Sequence, residues 1–191
     1  MPKPMPKPFP RRAFLSRSAQ LALAGAALPL AARPAFASLA ALPDARSLSF
    51  DHTHTGERIA LVFAVGDQFV PESLAALNHF LRDHYSGQAG VIDPQLFTLL
   101  YRLRRTLDSD SPFQVISGYR SPATNARLRK TRGGGVASHS LHMDGKAIDI
   151  RLAGVPLADL RDAALSLRGG GVGFYPHEQF VHADTGRVRD W

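Results

Sequence analysis

Two histidines and an aspartate are the residues of this sequence that could do metal chemistry together. His142 and Asp149 lie seven residues apart, and His182 follows forty residues after His142. A zinc ion bound by three protein ligands keeps a fourth position open for water, which distinguishes a hydrolytic site from a structural one. The spacing alone supports equally a structural use, with both histidines as polar loop and strand residues and Asp149 in a salt bridge.

No single helix or strand allows His142 and Asp149 to bind the same ion. On a helix the two residues would lie about 10 Å apart along the axis, and on a straight strand about 23 Å apart on opposite faces. The stretch 143–145 instead predicts a turn, in which Gly145 lets the chain reverse, with Asp149 on the strand that follows. On the last predicted strand His182 and Asp184 point to the same side, so we expect Asp184 to orient a ligand or a water.

Arg120 is a further candidate because of its place in the chain. It lies between a predicted strand and a predicted helix, where loops carry functional residues. Its guanidinium could bind a substrate carboxylate, or stabilise the oxyanion that forms when water attacks an amide. Position alone favours a surface arginine in a helix-entry turn. The chain contains no cysteine, so any zinc must be bound by histidine and carboxylate groups.

The segments between these residues predict an α+β fold. Asp93 with Pro94, and Ser121 with Pro122, are typical of helix starts. Because helices come first and most strands later, we expect a small antiparallel sheet that carries the metal site and is flanked by helices. Periodicity predicts helices at 71–85, 94–107, 122–128 and 157–167, and strands at 47–50, 58–65, 113–117, 147–152, 172–175 and 180–184.

The first 37 residues predict an export signal. Arg11 and Arg12 precede Phe-Leu and an apolar run at 21–30, and Ala-Phe-Ala at 35–37 is a small-x-small cleavage site. The paired arginines resemble a twin-arginine signal, which implies the twin-arginine export machinery as a partner and a periplasmic location. Two prolines interrupt the apolar run, so no stable membrane anchor is expected after the signal is removed.

Most of the positive charge belongs to this leader. The whole chain has 23 Lys and Arg against 16 Asp and Glu, a net charge of +7. Six of these cations and none of the acids lie in 1–37, which leaves 17 cations against 16 acids in the remainder. This balance argues against a basic phosphate-binding face, and no nucleic-acid partner is expected.

A resemblance to a known family rests on the motif Ser140-x-His142-x-x-Gly145-x-Ala147-x-Asp149. This motif is similar to the signature of zinc D-Ala-D-Ala and murein peptidases, a group related to lysostaphin and hedgehog proteins. Within that group the chain resembles the murein endopeptidase K branch, over roughly residues 46–191. The segments that carry the narrower resemblance are 54–57, 81–84, 117–121, 171–176 and 180–186.

The resemblance implies an exported enzyme that degrades peptidoglycan, with Zn²⁺ bound by His142, Asp149 and His182. It also implies an active-site position for Arg120. The expected reaction is cleavage of crosslinks between peptide stems, which in some members is the bond between two meso-diaminopimelates. The alternatives are a D,D-carboxypeptidase and a non-catalytic peptidoglycan-binding module that keeps the metal fold. The predicted organisation is a signal at 1–37, a linker at 38–45 and a zinc peptidase domain at 46–191.

The residue that takes a proton from the attacking water is left open by the resemblance. Several relatives have an acid three positions before the last ligand, where this chain has Gln179, and others have a histidine at the position of Phe180. A carboxylate or a histidine within hydrogen-bond reach of the water is needed. We expect Glu178 to be this base, and the alternatives are His177, Asp184 and His139.

Two other pairs of residues are interpreted as structural. His52 and His54 have the spacing of metal ligands on one face, but no third ligand is nearby. Hairpin loops of this kind usually bond their own backbone. Arg104 and Arg105 are expected on the solvent-exposed face of a helix.

Overall fold

The structure of the protein is a computed structural model that describes residues 1, 39–131 and 136–191. The predicted signal at 1–37 lies, apart from Met1, outside the described residues, as do the three consecutive glycines at 133–135. None of the helices in the described residues is long and apolar enough to cross a membrane. The elements, in chain order, are β1 (Ala45–His52), β2 (Arg58–Val65), β3 (Gln68–Phe69), α1 (Pro71–Phe80), α2 (Pro94–Thr106), β4 (Phe113–Ser117), α3 (Pro122–Thr131), β5 (Ala147–Leu152), α4 (Leu157–Leu167), β6 (Gly171–Tyr175), β7 (Phe180–Asp184) and β8 (Arg189–Asp190).

The eight strands of the described residues form one sheet, in the order β3-β2-β1-β4-β5-β7-β6-β8. Five neighbouring pairs are antiparallel, whereas β1 with β4 and β6 with β8 are parallel. The predicted α+β class is confirmed, but the sheet is larger than expected and mixed. The chain between β1 and β4 passes through two strands and two helices, and a connection of that length allows a parallel pair.

A continuous hydrophobic core involves the sheet and helices α1, α2 and α4. Phe50 of β1 and Phe113 of β4 are partners in the parallel register, and their ring centroids are 6.0 Å apart. Leu77 of α1, Leu100 of α2 and Leu160 of α4 are completely buried in the same core. The core thus fixes the sheet independently of any metal ion.

Helix α2 begins as the sequence predicts, because the Asp93 side chain accepts a hydrogen bond from the Gln95 N–H at 3.0 Å. The prediction that Arg104 faces solvent is wrong. Arg104 is 8% exposed, and its guanidinium donates a hydrogen bond to the Ser47 carbonyl of β1 at 2.9 Å. A long side chain can bury its methylenes while its charged end keeps a polar partner. Arg105 is exposed, as expected.

The strands β4, β5 and β7 are neighbours near the middle of the sheet, and they position the candidate site. Asp149 of β5 lies opposite His182 of β7 and, on its other side, opposite Ser117 of β4. Directly opposed residues have Cβ atoms about 4.5–5.5 Å apart. The register of the sheet therefore brings the Asp149 carboxylate to the His182 imidazole.

The turn before β5 brings His142 to the same place. The Lys146 N–H donates to the Leu141 carbonyl at 2.9 Å, which closes the turn. Gly145 has a φ of 66°, in the left-handed region that favours glycine. A Cβ at this position would overlap the backbone carbonyl of Val91. The predicted chain reversal at Gly145 is confirmed.

Replacing Gly145 by alanine is expected to destabilise the protein more than the same change at Gly154. Both glycines have positive φ, 66° and 79°, so alanine costs about 1–2 kcal/mol of backbone strain at either position. Only at Gly145 does the new Cβ meet backbone atoms, whereas nothing lies within 4 Å at Gly154. Urea unfolding should show that Gly145→Ala loses at least about 1 kcal/mol more of the free energy of unfolding than Gly154→Ala does. Equal losses would contradict the packing argument.

Candidate metal centre

His142, Asp149 and His182 meet at the floor of a cleft. The His182 Nδ1 lies 2.9 Å from Asp149 Oδ1, the His142 Nε2 lies 3.2 Å from the same oxygen, and the two nitrogens are 3.3 Å apart. All three residues are buried, with exposed fractions of 2%, 6% and 9% for His142, Asp149 and His182. In the part of the chain that the structure describes, no other three His, Cys or acidic side chains bring their donor atoms close enough to share an ion.

These distances fit a metal ion with tetrahedral coordination. Two ligand atoms that each lie about 2.0–2.1 Å from a zinc ion, at tetrahedral angles, are roughly 3.3 Å apart. The donor triangle of 2.9, 3.2 and 3.3 Å is close to that geometry. The three residues line the cleft, so the fourth coordination position can face it and take water or substrate.

The second nitrogen of each histidine is held by an oxygen. The Nδ1–H of His142 donates to the Gly118 carbonyl at 2.7 Å, and the Nε2–H of His182 donates to Asp184 Oδ2 at 3.2 Å. A carbonyl and an ionised carboxylate only accept hydrogen bonds, so His142 Nε2 and His182 Nδ1 remain available to bind a metal. Such outer hydrogen bonds fix the tautomer and the orientation of metal-binding imidazoles. The donor chemistry fits a metal ion as well as the distances do.

Asp184 is the anchor of His182. Its carboxylate is completely buried, and it accepts hydrogen bonds from His182, from both terminal nitrogens of Arg189 and from the backbone N–H groups of Gly171 and Gly186. Burial raises the pKa of this carboxyl, but the hydrogen bonds outweigh burial and hold the pKa well below its usual range. Asp184 lies where the sequence predicts a carboxylate that orients a ligand.

The same contacts favour a protonated His182 when no metal is bound. Burial lowers the pKa of this imidazole, but the hydrogen bonds to Asp149 and Asp184 outweigh burial and raise the pKa to about 9. Burial raises the pKa of Asp149, yet the neighbouring imidazoles of His142 and His182 outweigh burial and hold this pKa well below its usual range. A metal ion must therefore displace a proton from His182, which weakens metal binding at acidic pH.

Arg120 lies beside the carboxylate of Asp149. Its Nη2 is 3.8 Å from Asp149 Oδ2, the other oxygen of that carboxylate, and its side chain is 16% exposed. Its Nη1 donates to Asn125 Oδ1 at 3.5 Å. The guanidinium lines the cleft next to the donor triangle, where a positive charge can stabilise an oxyanion.

The loop that carries Arg120 is attached to the turn that carries His142. The Arg120 N–H donates to the His142 carbonyl at 3.1 Å. One residue further, the N–H and the hydroxyl of Ser121 donate to Asp83 Oδ2 at 3.0 and 2.6 Å. Burial raises the pKa of Asp83, but the hydrogen bonds from Ser121 and its neighbours outweigh burial and hold it well below its usual range. Asp83 thus holds the loop that carries Arg120 through its hydrogen bonds with Ser121.

The cleft has two halves that share Arg120, Asp149 and Phe180 as a common wall. The first half contains the two histidines of the donor triangle together with aromatic residues that include Trp191. The second half extends toward the β1–β2 hairpin and contains Glu178. A ligand can therefore extend from the donor triangle in two directions.

Of the four predicted base candidates, Glu178 and His139 line the cleft. Glu178 is exposed in the turn between β6 and β7, and no side chain or backbone group among the described residues pairs with its carboxylate. His139 lines the first half, and its Nε2 lies 3.3 Å from Asp144 Oδ2. His177 lines neither half, and Asp184 is fully used as an anchor. Glu178 and His139 are therefore the two base candidates that face the cleft.

His52 and His54 have structural contacts, as expected. The His52 Nδ1 accepts hydrogen bonds from the backbone N–H groups of His54 and Thr55 at 3.2 and 3.4 Å. The His54 ring stacks on His84, with the ring centroids 4.2 Å apart. Burial, and then the neighbouring His54, lower the pKa of His52 to about 4, which keeps this imidazole neutral at pH 7.

Three residues near the site were not anticipated from the sequence: Asp83, Arg189 and Trp191. Arg189 binds the Asp184 carboxylate at 2.8 and 3.2 Å, and the Trp191 ring centroid lies 5.3 Å from that of His182. Asp83 lies in the segment 81–84 that carries the family resemblance, but its role depends on tertiary packing, as do the roles of Arg189 and Trp191, which lie outside every quoted motif.

The chain is similar to known proteins along most of its length. The family model described as Peptidoglycan L,D-endopeptidase MepK matches residues 40–191. The Peptidoglycan L,D-endopeptidase MepK of Escherichia coli (strain K12) is 48% identical over 178 residues, which cover 92% of this chain and 97% of that protein. The Probable peptidoglycan L,D-endopeptidase MepK of Haemophilus influenzae is 42% identical over 173 residues, or 90% of this chain and 92% of that protein. The resemblance found in the sequence is confirmed: this chain belongs to the peptidoglycan L,D-endopeptidase MepK family.

Proposed function

We propose that this protein is a zinc-dependent murein endopeptidase that hydrolyses crosslinks between the peptide stems of peptidoglycan. The observation that carries the proposal is the buried donor triangle of His142, Asp149 and His182, with Arg120 beside it. Membership of a peptidase family supports a hydrolase, and the relatives in Escherichia coli and Haemophilus influenzae are named as peptidoglycan endopeptidases.

Zinc is the metal proposed for the triangle. Two imidazoles and one carboxylate, without cysteine, are a donor set typical of hydrolytic zinc sites that keep an open position. Zinc in such a site activates water as a nucleophile and polarises the amide carbonyl. His142, Asp149 and His182 would bind it through Nε2, Oδ1 and Nδ1.

Two further side chains are proposed to carry the hydrolysis. Arg120 stabilises the negative charge that develops on the amide oxygen as water adds to the carbonyl carbon. Glu178 accepts a proton from that water and passes it to the leaving nitrogen, so that the C–N bond breaks. The products are a carboxylate on one stem and an amine on the other.

The two halves of the cleft favour cleavage within a crosslink over removal of a terminal residue. Arg120, Asp149 and Phe180 line both halves, so a chain that passes the donor triangle can be held on each side of it. A crosslink continues beyond the scissile bond in both directions, whereas a terminal D-Ala does not. Since the relatives are named L,D-endopeptidases, we propose the bond between two meso-diaminopimelates as the substrate.

Action on peptidoglycan places the enzyme outside the cytoplasm. We propose that residues 1–37 direct it to the periplasm by the twin-arginine route and are then removed. The support is the order of Arg11, Arg12, the apolar run at 21–30 and the small-x-small site at 35–37.

Digestion of purified peptidoglycan tests the proposed function. The zinc-loaded mature protein is expected to convert crosslinked muropeptide dimers to monomers, a chelator to stop the reaction, and added zinc to restore it. Loss of terminal D-Ala with the dimers intact would identify a carboxypeptidase instead. No change in either would leave a non-catalytic binding module.

The variants His142→Ala and His182→Ala are expected to lose stoichiometric zinc and hydrolysis while they keep the fold, because the core does not depend on the metal. Elemental analysis after dialysis and circular dichroism measure these properties, with His177→Ala as the control that keeps zinc. In the unmodified protein each zinc ion displaces one proton from His182, whose pKa is about 9. Below that pH the zinc affinity should therefore fall roughly tenfold for each pH unit. Full zinc occupancy in both variants would contradict the ligand assignment.

The variant Arg120→Ala should keep its zinc, because arginine is not a ligand, and lose about 10²–10³ in kcat. Arg120→Lys should recover little, since an ammonium group lacks the planar fork. Arg129→Ala, an exposed arginine of α3, serves as the matched control. A loss confined to KM would limit Arg120 to binding a substrate carboxylate, without a part in stabilising the oxyanion.

The variants Glu178→Gln and His139→Asn separate the two base candidates. If Glu178 is the base, its replacement should lower kcat by about 10²–10⁴ and remove the acidic limb of the pH–rate profile, with zinc content unchanged. His139→Asn should then remain near the unmodified rate. The reverse pattern would assign the proton transfer to His139.

Export by the twin-arginine route predicts that changing Arg11 and Arg12 to lysine retains a precursor in the cytoplasm. Cell fractionation and N-terminal sequencing measure this, and the mature chain should begin at or close to Ser38. Unchanged delivery of the mature form in the double variant would indicate the general secretory route.

A further inference from the structure

The segment 185–191 returns to the cleft after β7 and is held there by backbone hydrogen bonds. The two residues of β8 within this segment pair with β6, so that Arg189 lies opposite Gly171. Beyond them the Trp191 N–H donates to the Val172 carbonyl at 3.2 Å, and the Phe174 N–H donates to the Trp191 carbonyl at 3.0 Å. The position of Trp191 is thus fixed by the sheet.

The indole of Trp191 is fixed as well. Its Nε1–H donates to the Tyr175 hydroxyl at 2.7 Å, and the Arg189 guanidinium lies 4.8 Å from its ring centroid. Arg189 is itself held by the buried Asp184. Gly173 leaves the space for the ring, because a Cβ there would lie 2.7 Å from Trp191 Cε2 and 2.8 Å from Tyr175 Cε2.

Trp191 is nevertheless partly exposed to the cleft. Trp191 is 50% exposed, and it lines the first half of the cleft together with Tyr175 and Phe180. An apolar ring that is held in one orientation and faces a cleft binds a ligand at little entropic cost. Neither the metal centre nor the proposed proton transfer uses this surface.

We propose that Trp191 is a specificity-determining residue that contacts the substrate. Its exposed face packs against the methylenes of the diamino acid next to the scissile bond, and the carboxylate of the same amino acid points toward Arg120. The inference deepens the proposed function and rests on it. The first half of the cleft has aromatic side chains along one part of its lining and the Arg120 guanidinium next to the donor triangle. This arrangement matches a ligand that has methylenes in its middle and a carboxylate at its end.

Fluorescence can test the contact directly, because Trp191 is the only tryptophan of the chain. The zinc-loaded double variant Glu178→Gln/His139→Asn, which lacks both candidate bases, is titrated with a purified crosslinked muropeptide dimer. The expected result is a saturable change in tryptophan emission. Saturable binding by calorimetry without any change in emission would overturn the proposal.

Kinetics on the otherwise unmodified enzyme provide the second test. Trp191→Ala should raise KM by about tenfold or more at unchanged zinc content, and Trp191→Phe should recover part of the loss. Gly173→Ala, which keeps the indole but displaces it, should raise KM as well. Val188→Ala is the matched control, because Val188 is exposed in the same segment and lines neither half of the cleft.

An unchanged KM in Trp191→Ala, or a loss of activity that follows a parallel loss of zinc, would overturn the proposal, since the indole would then only support His182. If the unmodified enzyme cleaves no muropeptide, the proposed endopeptidase function is contradicted, whatever the result for Trp191. The emission titration then decides the proposal for Trp191 independently.

Discussion

The Oδ1 atom of Asp149 is the point at which the sheet and the turn before β5 bring the two histidines together. It lies 2.9 Å from His182 Nδ1 and 3.2 Å from His142 Nε2, inside a protein where an unpaired carboxylate would be costly to bury. One partner comes from the neighbouring strand through the register of the sheet. The other comes from the turn at 140–146, which Gly145 makes possible. The turn and the strand β5 that follows it are thus joined, at one charged oxygen, to β7, which lies about thirty residues further along the chain.

Two more buried acids extend this principle outward. Asp184 holds His182 and is itself held by Arg189, whereas Asp83 holds the loop that presents Arg120. Both carboxyls have pKa values well below the ordinary value of 3.8, so their contribution to stability is present above that pH and is lost as the pH falls through their folded-state values. The groups proposed to bind metal and stabilise charge therefore depend on ionised carboxylates that hold them in position.

The donor triangle was predicted from the motif that carries the family resemblance, since the spacing alone left a structural use of the same residues equally open. The separation of seven positions between His142 and Asp149 excludes a shared ion on a single helix or strand, and Gly145 indicates the turn that the structure contains. The parallel pairing of β1 with β4 was not predictable in this way, because it depends on how helices and strands pack after they form. Arg104 shows the same limit: helical periodicity places it on a surface, but the contact with Ser47 of β1 buries it. Arg189 and Trp191 reach the site because β8 pairs with β6. No motif in their own segment predicts that pairing.

The central claim is that one metal ion binds His142 Nε2, Asp149 Oδ1 and His182 Nδ1, and anomalous diffraction from crystals of the zinc-loaded protein tests it most directly. The account predicts one strong anomalous peak per chain, about 2.0–2.1 Å from each of these three atoms, with His182 Nε2 still bound to Asp184. A peak elsewhere, for instance among His52, His54 and His84, or coordination through His182 Nε2, would contradict the account.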